Sequence, residues 1–271
     1  MTHITFGILG VHPLLQHIRD HLIVERKLQL VPVQDGPDFV VVGAEKTGVN
    51  LLVDLPGLLC ELQGVPTHTP LLVLSSGHVY SDRDANLQVS EEHLMAEERP
   101  VILPSPMDTR TQDTLLTTAV ETAALQYFKH VLVLRVFEVY GSTIPGTIQD
   151  MIASARQQKA LRVATPGYQI RTYLHVDDFL LALDSLLPKF LRGARGIYNI
   201  GSTEEITLKR LADSVWQLTN HKIRDTPTEL VYPNRLVLWW KIPDITRISA
   251  LLKWRPKITL RRGLWLLIHN T

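Results

Sequence analysis

Residues 4–33 read ITFGILGVHPLLQHIRDHLIVERKLQLVPV, two short apolar runs with an amphipathic stretch between them. The runs at 4–10 and 28–33 have the length and apolar content of buried strands. Residues 13–25 carry apolar side chains at helical spacing and open on Pro13, which a first helical position accepts. The stretch therefore predicts a strand, a helix and a second strand.

The same alternation continues through the rest of the chain. Apolar runs at 38–44, 71–76 and 130–137 predict further buried strands. Helical patterns fill 49–63, 113–129, 146–158, 177–187 and 207–219. Strands that alternate with helices are typical of an α/β protein with a mainly parallel sheet.

The composition is that of an ordinary globular protein. A chain of 271 residues, 45% hydrophobic and 20% charged, can bury a large core as one domain or as a domain with a smaller lobe. Its 28 Lys and Arg against 27 Asp and Glu leave a formal charge of +1. This balance gives no electrostatic reason to expect a nucleic acid or an anionic membrane as a partner.

The single Cys60 excludes an intrachain disulfide and a cysteine-based metal cluster, which fits a reducing compartment. The N-terminal residues lack the basic and apolar regions of a secretory signal. No uncharged apolar run approaches the roughly 18 residues that a membrane span needs. We therefore expect a soluble, cytoplasmic protein without a metal site.

The connection after the second strand is unusually short. Only DGP (35–37) separates the apolar run at 28–33 from the strand that opens with Asp38. A parallel crossover normally needs about a dozen residues. Either the third strand pairs differently, or a strand–helix segment at the edge of the sheet is missing.

Four segments in order carry a resemblance to a known family: LLVLSSGHVYS (71–81), VLVLRVFEVYG (131–141), IRTYLHVDD (170–178) and GIYNIGSTEEITL (196–208). They resemble the extended short-chain dehydrogenases/reductases of the nucleotide-sugar epimerase and dehydratase type. The resemblance runs from residue 4 to residue 264. It implies a Rossmann-like, doubly wound, mainly parallel sheet, shortened at one edge because residues 38–44 resemble the family's fourth strand. It also implies NAD or NADP as cofactor and a nucleotide sugar, or another nucleotide, as ligand.

The resemblance also divides the chain. Residues 1–141 and 169–200 would form the dinucleotide-binding domain, and residues 142–168 and 202–271 the substrate-binding lobe. A ligand would lie across the carboxyl ends of the strands. Family members commonly pair through two helices, for which 49–63 and 113–129 would be the equivalents in a homodimer. Another protein partner is the alternative.

The cofactor candidates are Gly7, Gly10 and Asp35. Gly7 and Gly10 resemble the first two glycines of the family's Gly-x-x-Gly-x-x-Gly, with Pro13 in place of the third. Such glycines let a pyrophosphate approach the N-terminus of a helix. An acidic residue 20 or more positions later binds the adenosine ribose, and Asp35 is placed to do so. The alternatives are an ordinary strand–helix turn and a simple Asp-Gly turn.

The strand-end motif supplies the catalytic candidates. Ser76 matches the family hydroxyl that hydrogen-bonds the reacting oxygen of the sugar, and it could donate to an oxygen that gains charge. Dehydratases continue with an Asp-Glu pair, whereas this chain has Gly77 and His78. A histidine can exchange protons near neutral pH, so His78 is a candidate acid/base, with a structural histidine as the alternative. Tyr80, which closes the motif, is a candidate substrate contact.

The family's catalytic Tyr-x-x-x-Lys pair is missing, since no Tyr in this sequence has a Lys four residues later. One register puts Asp113 and Thr117 at these positions, and a register with an insertion puts Met107 and Thr111 there. An aspartate is too acidic to replace a phenol, and a threonine carries no charge. Any surviving hydride chemistry must therefore use other acid/base groups.

Two arginines match positions that bind the nucleotide diphosphate in the family. Arg171 lies in the third conserved segment, and Arg235 lies about nine residues before Asp244. A guanidinium suits this role because it makes paired, charge-assisted hydrogen bonds. A surface salt bridge is the alternative for each. Glu138 stands where an asparagine usually helps position the diphosphate, so the ligand differs or Glu138 faces away.

Two functions remain open. The first is an NAD(P)-dependent nucleotide-sugar epimerase, dehydratase or reductase with altered acid/base residues. The second is a catalytically silent relative that binds a nucleotide or a protein partner in a regulatory or assembly role. The missing Tyr and Lys and the presence of Pro13 favour the second, whereas Ser76 and Arg171 favour ligand binding in both.

Overall fold

The computed structural model describes residues 4–44, 51–80, 88–89, 91, 109–220, 225–231 and 240–270. The chain divides into two compact units. The first unit comprises Met1–Ser81, Glu91–Val136 and Ala182–Asn199, and the second comprises Asp82–Ser90, Phe137–Leu181 and Ile200–Thr271. The predicted division into a cofactor domain and a substrate lobe concerns ligands and stays a prediction.

A six-stranded sheet forms the centre of the first unit. Its strands are β1 (Thr5–Val11), β2 (Gln29–Leu30), β3 (Phe39–Ala44), β4 (Leu71–Ser76), β6 (Val131–Val136) and β11 (Gly196–Ile200), in the order β11-β6-β4-β3-β1-β2. The pairs of β1 with β2 and β3, of β3 with β4 and of β4 with β6 are all parallel. The associated helices are α1 (Leu15–Val24), α2 (Leu51–Gln63), α3 (Thr109–Tyr127) and α5 (Val176–Leu191). This architecture confirms the predicted α/β class.

The centre of the sheet is buried on both faces, which explains why β3, β4 and β6 are almost continuously apolar. Val40 and Val42 of β3 pack in one cluster with Leu58 of α2. On the alternate positions, the ring of Phe39 lies 5.9 Å from the ring of Phe6 and 5.9 Å from that of Phe190 in α5. Successive strand residues point to opposite faces, so a sheet covered on both sides needs apolar residues at every position.

The edge of the sheet confirms that a strand–helix segment is absent. β3 pairs with β1 on the side opposite β2, the place of the fourth strand in the usual dinucleotide-binding order. Within the described part of the chain, no strand pairs with β2 on its outer side. The strand predicted at 28–33 is wrong at both ends: β2 holds only Gln29 and Leu30, because the chain turns at Pro32 into a 3-10 turn over Val33–Asp35.

Residues 31–38 nevertheless join two strands of a parallel sheet, although a parallel crossover normally needs about a dozen residues. The register explains how: Leu30 of β2 and Phe39 of β3 both stand level with Phe6 of β1. The connection therefore crosses only the width of β1, about 10 Å at normal strand spacing, and not its length. Asp38 fixes the far end, since the backbone N–H of Thr5 donates to its Oδ2 at 2.7 Å.

Gly7 makes room for this crossing. A Cβ at Gly7 would lie 2.9 Å from Cγ2 of Val33 and 3.2 Å from Cγ of Pro37. We expect Gly7→Ala to lower the free energy of unfolding by about 2 kcal/mol through overpacking. Urea denaturation measures the change. Val33→Ala in the same chain should restore part of the loss, and an unaltered midpoint for Gly7→Ala alone would contradict this packing.

Within the described residues, the second unit combines short strands with four whole helices and the start of α5. The strands are β5 (Gln88–Val89), β7 (Val139–Tyr140), β8 (Leu161–Ala164), β9 (Ile170–Thr172), β10 (Leu174–His175), β12 (Glu205–Thr207), β13 (Thr228–Val231) and β14 (Trp240–Pro243). The helices are α4 (Thr147–Arg156), α6 (Leu208–Thr219), α7 (Thr246–Leu252) and α8 (Leu260–His269). The strands form three small sheets, β10-β7, β12-β9-β14-β5 and β13-β8.

The core of the second unit lies among α4, α6 and α8. Ile152, Trp216 and Leu264 are buried together in it. Asp178 of α5 anchors the chain before α8, since its Oδ2 accepts hydrogen bonds from the backbone N–H groups of Lys257 at 2.9 Å and Ile258 at 2.7 Å. None of the helices within the described residues is both long enough and apolar enough to cross a membrane.

Candidate functional site

Ser76 and His78 meet at the carboxyl end of β4. Ser76 begins a 3-10 turn over Gly77–Val79, and its Oγ accepts a hydrogen bond from the backbone N–H of His78 at 3.2 Å. The same Oγ lies 3.0 Å from Nδ1 of His78. Because Oγ already accepts the backbone hydrogen bond, its own proton can point to Nδ1 when that nitrogen is unprotonated. The structure thus brings the two predicted catalytic residues together.

Helix α3 lines this turn without supplying the missing catalytic pair. Oγ1 of Thr114 donates to the carbonyl of His78 at 3.5 Å. Thr117, at the position of the family lysine in the first register, is a buried neutral side chain. Met107 lies outside the described residues, as do the side chains of Thr111 and Asp113.

A buried polar network lies directly behind Ser76. Oγ of Ser75 donates to Oε2 of Glu121 at 2.6 Å, and Nη2 of Arg135 donates to Oε1 of Glu121 at 2.5 Å. The Arg135 guanidinium also lies 4.9 Å from the centre of the Tyr80 ring. The Tyr80 hydroxyl donates to Oδ1 of Asn199 at 2.6 Å. The network links β4, α3, β6 and β11 beneath the strand ends.

The Glu121 carboxylate keeps the Arg135 guanidinium charged despite its burial. Burial alone would lower the pKa of the Arg135 guanidinium, but the hydrogen bond and the negative charge of Glu121 outweigh it and raise that pKa. Burial raises the pKa of the Tyr80 phenol. Tyr80 is only 5% exposed. The structure places its hydroxyl in this network, and its contact with a substrate stays a prediction.

Close contacts within the fold itself explain why Gly7 and Gly10 are glycines. Gly7 accommodates the crossing connection. Gly10 has a φ of +77°, and a Cβ there would lie 2.2 Å from the carbonyl oxygen of Gly43. Gly10 therefore permits the close approach of β1 to β3 at the start of the turn.

His12 occupies the N-terminus of α1. Its Nδ1 accepts a hydrogen bond from the backbone N–H of Leu14 at 3.1 Å, and its carbonyl accepts one from Leu15 at 3.0 Å. Pro13 has no N–H to offer. A pyrophosphate is bound at such a turn by these backbone N–H groups. In this conformation the His12 imidazole already uses one of these donors, the N–H of Leu14.

The remaining candidates lie apart from the Ser76 turn along the chain. Asp35 is exposed at the end of the 3-10 turn, five residues beyond β2. Arg171 of β9 is half-buried, and its Nη1 donates to the carbonyl of Ile170 at 2.8 Å. The pKa of the Tyr173 phenol is raised mainly by burial and also by the negative charge of Glu138. The positive charge of Arg171 acts in the opposite direction. Arg235 lies outside the described residues.

The model of the NAD dependent epimerase/dehydratase family matches residues 59–201, just over half of the chain. The chain belongs to this family. UDP-glucuronic acid decarboxylase 5 of Arabidopsis thaliana is 31% identical over 157 residues, which is 53% of this chain and 43% of that protein. UDP-N-acetyl-alpha-D-glucosaminuronate decarboxylase of Bacillus cytotoxicus is 30% identical over 158 residues, 54% of this chain and 49% of that protein. The chain thus spans less than half the length of these relatives.

A solved structure of the same fold is MoeE5 in complex with UDP-glucose and NAD. It has a TM-score of 0.76 at 19% identity and covers 98% of this chain and 97% of its own. This likeness confirms the Rossmann-like fold predicted from the sequence.

Several residues of the site were missed by sequence reasoning. Arg135 stands alone among apolar residues in VLVLRVF, and a charge in a strand buried on both faces requires a partner. That signal could have pointed to Glu121 on the neighbouring helix. Asn199 and His12 gave no comparable signal, because their contacts depend on how the backbone turns.

Proposed function

We propose that this chain binds a nucleotide sugar and acts on it as an NAD(P)-dependent member of the epimerase/dehydratase family with altered acid/base residues. The contact between Ser76 and His78 at the end of β4 carries the proposal. The relatives named above, which are decarboxylases of UDP-linked sugar acids, and the UDP-glucose and NAD in MoeE5 support the ligand classes. When bound, NAD or NADP would supply the hydride acceptor.

Ser76 and His78 would manage the proton. As the hydride leaves, the Ser76 hydroxyl would take the proton of the sugar hydroxyl and pass its own proton to Nδ1 of His78, so that Ser76 stays neutral and the imidazole becomes protonated. A histidine can take and return a proton at neutral pH, a task that the family assigns to its Tyr and Lys. Ser76 and His78 would therefore carry out the proton transfer for which this chain has no Tyr-x-x-x-Lys pair.

The other candidates are proposed to bind. Arg171 and Arg235 would pair with the diphosphate, for which a guanidinium is suited. Gly7, Gly10 and Asp35 would lie along the dinucleotide.

We also propose a cytoplasmic location, on the basis of the near-neutral charge and the single Cys60. A homodimer would form through α2 and α3, with another protein partner as the alternative.

A specific observation favours a second candidate, a catalytically silent binding protein with a regulatory or assembly role. Thr117, at the position that the first register gives to the family lysine, is neutral and 1% exposed. A buried hydroxyl there can neither lower the pKa of a neighbouring acid nor hold a ribose by charge. In this case Ser76 and Arg171 would bind a nucleotide sugar without turning it over.

Turnover assays separate the two candidates. We expect the full chain, incubated with UDP-glucuronic acid or UDP-glucose and NAD, to form a new sugar nucleotide detectable by mass spectrometry. Ser76→Ala should lower kcat about 100-fold or more, as loss of a hydroxyl donor does, and His78→Ala should lower it by a similar factor. His68→Ala, an exposed histidine before β4, is the matched control and should retain full activity.

Turnover that survives both Ser76→Ala and His78→Ala would contradict the proposed roles. If no turnover is found, a melting temperature raised by the UDP-sugar alone identifies a silent binder. Ligand at a hundredfold excess over its Kd adds about 2.7 kcal/mol of stability, which a thermal melt resolves.

A further inference from the structure

The chain caps its own nucleotide-binding turn. Helix α1 begins at Leu15, and the N–H of Leu14 before it is bound by the imidazole of His12. The N–H of Leu15 is bound by the carbonyl of the same residue. A pyrophosphate at this turn would need the N–H groups that His12 now uses. The imidazole and the ligand therefore compete for the N–H of Leu14.

The His12 side chain leaves the backbone in close contact with β3. A Cβ at Gly43 would lie 2.6 Å from Cβ of His12 and 3.0 Å from Cδ1 of Leu15. Gly43 thus leaves the space into which His12 folds over the strand end. Nε2 of His12 is buried, so the imidazole cap is part of the packed turn.

The shortened edge of the sheet removes contacts that would favour the ligand in this competition. In a dinucleotide-binding domain, the strand–helix segment after the second strand completes the half of the fold that binds the first nucleotide. Here residues 31–38 replace that segment and cross directly to β3. Asp35, the candidate for the ribose, is exposed on this connection.

We propose that His12 competes with the pyrophosphate of NAD or NADP for the N-terminus of α1, so that this chain holds its dinucleotide as an exchangeable ligand. Binding requires the imidazole to release the N–H of Leu14 and to rotate away. This inference rests on the proposed function, since it concerns the regulation of the same cofactor site. It assigns to His12 a positioning role that the family pattern does not contain.

Two substitutions at His12 separate the hydrogen bond from the loss of the ring. His12→Ala removes the acceptor, whereas His12→Asn places an amide oxygen close to the former Nδ1 and can keep the cap. Binding of NADH to the full chain is measured by the fluorescence of its nicotinamide and by calorimetry. We expect the Kd of His12→Ala to be about tenfold lower than that of the unaltered chain, and His12→Asn to bind like the unaltered chain. His68→Ala is the control and should not differ.

The outcomes distinguish this inference from the proposed function. An equal or higher Kd for His12→Ala, with its fold verified by circular dichroism, overturns the role of His12, even where turnover of UDP-sugars persists. A similar gain in His12→Asn also overturns it, because the effect would then come from removing the ring. If no variant binds NADH while a UDP-sugar still raises the melting temperature, the inference fails together with the cofactor part of the proposed function.

Discussion

We expect Glu121→Leu to lower the free energy of unfolding by about 4 kcal/mol, because it leaves the buried Arg135 guanidinium without a carboxylate to balance its charge. Arg135 is 1% exposed and holds two hydrogen bonds to Glu121, at 2.5 and 3.3 Å. The substitution also removes the acceptor of the Ser75 hydroxyl. Urea denaturation, followed by circular dichroism, measures the loss.

The double substitution Glu121→Leu with Arg135→Met is the decisive comparison. Replacing both partners of a buried pair by apolar residues of similar size is often neutral, so the double variant should recover most of the loss. Asp20→Asn, which breaks the exposed contact with Arg19, is the surface control and should leave the midpoint unchanged. A double variant as unstable as Glu121→Leu alone would show that packing, and not the uncompensated charge, sets the cost.

Gly263→Ala should destabilise the second unit by about 3 kcal/mol, at the upper end of the usual cost of overpacking. A Cβ at this position of α8 would lie 1.9 Å from the Tyr140 hydroxyl oxygen and 2.9 Å from Cδ2 of His175. Both rings are buried and stand edge to face with centres 5.2 Å apart, so neither can withdraw. Thermal and urea denaturation measure the effect. Gly57→Ala in α2, where a Cβ meets nothing within 4 Å, is the matched control and should be neutral or stabilising.

Tyr140→Phe tests whether the Tyr140 hydroxyl is what the added methyl group of Gly263→Ala meets. Within the described residues the Tyr140 hydroxyl has no hydrogen-bond partner, and burial raises the pKa of this phenol, so removing the oxygen should cost little or stabilise. In the Gly263→Ala background, Tyr140→Phe should restore part of the stability. If it restores nothing, the hydroxyl is not the obstacle to the added methyl group.

The sequence predicted the central strands well because they are buried on both faces. Residues 71–76 were predicted as a strand and form β4 without a change of bounds. The run at 28–33 has the same apolar content, yet only Gln29 and Leu30 pair. Pro32 has no N–H for a ladder, and the chain must turn early to reach β3. Apolar content thus predicted neither the burial nor the length of this edge strand, since Gln29 and Leu30 are both exposed.

The candidate site was predictable only where a motif fixes the backbone. Ser76 and His78 follow the strand-end motif, and the structure brings them within 3.0 Å. The His12 cap could not be predicted, since a contact between residues two apart requires a particular turn. Glu121 and Arg135 are fourteen residues apart in sequence, and only the packing of α3 on the sheet unites them.

The short strand β2 also protects the outer edge of the sheet. An edge strand presents unpaired backbone groups to which another chain can add, and long flat edges promote aggregation. Loss of the strand–helix segment would have exposed such an edge along the whole of β2. With two paired residues and Pro32 directly beyond, little backbone is left there for a foreign strand to pair with. The fold without that segment thus keeps, within the described residues, a sheet margin that offers few backbone groups to another strand.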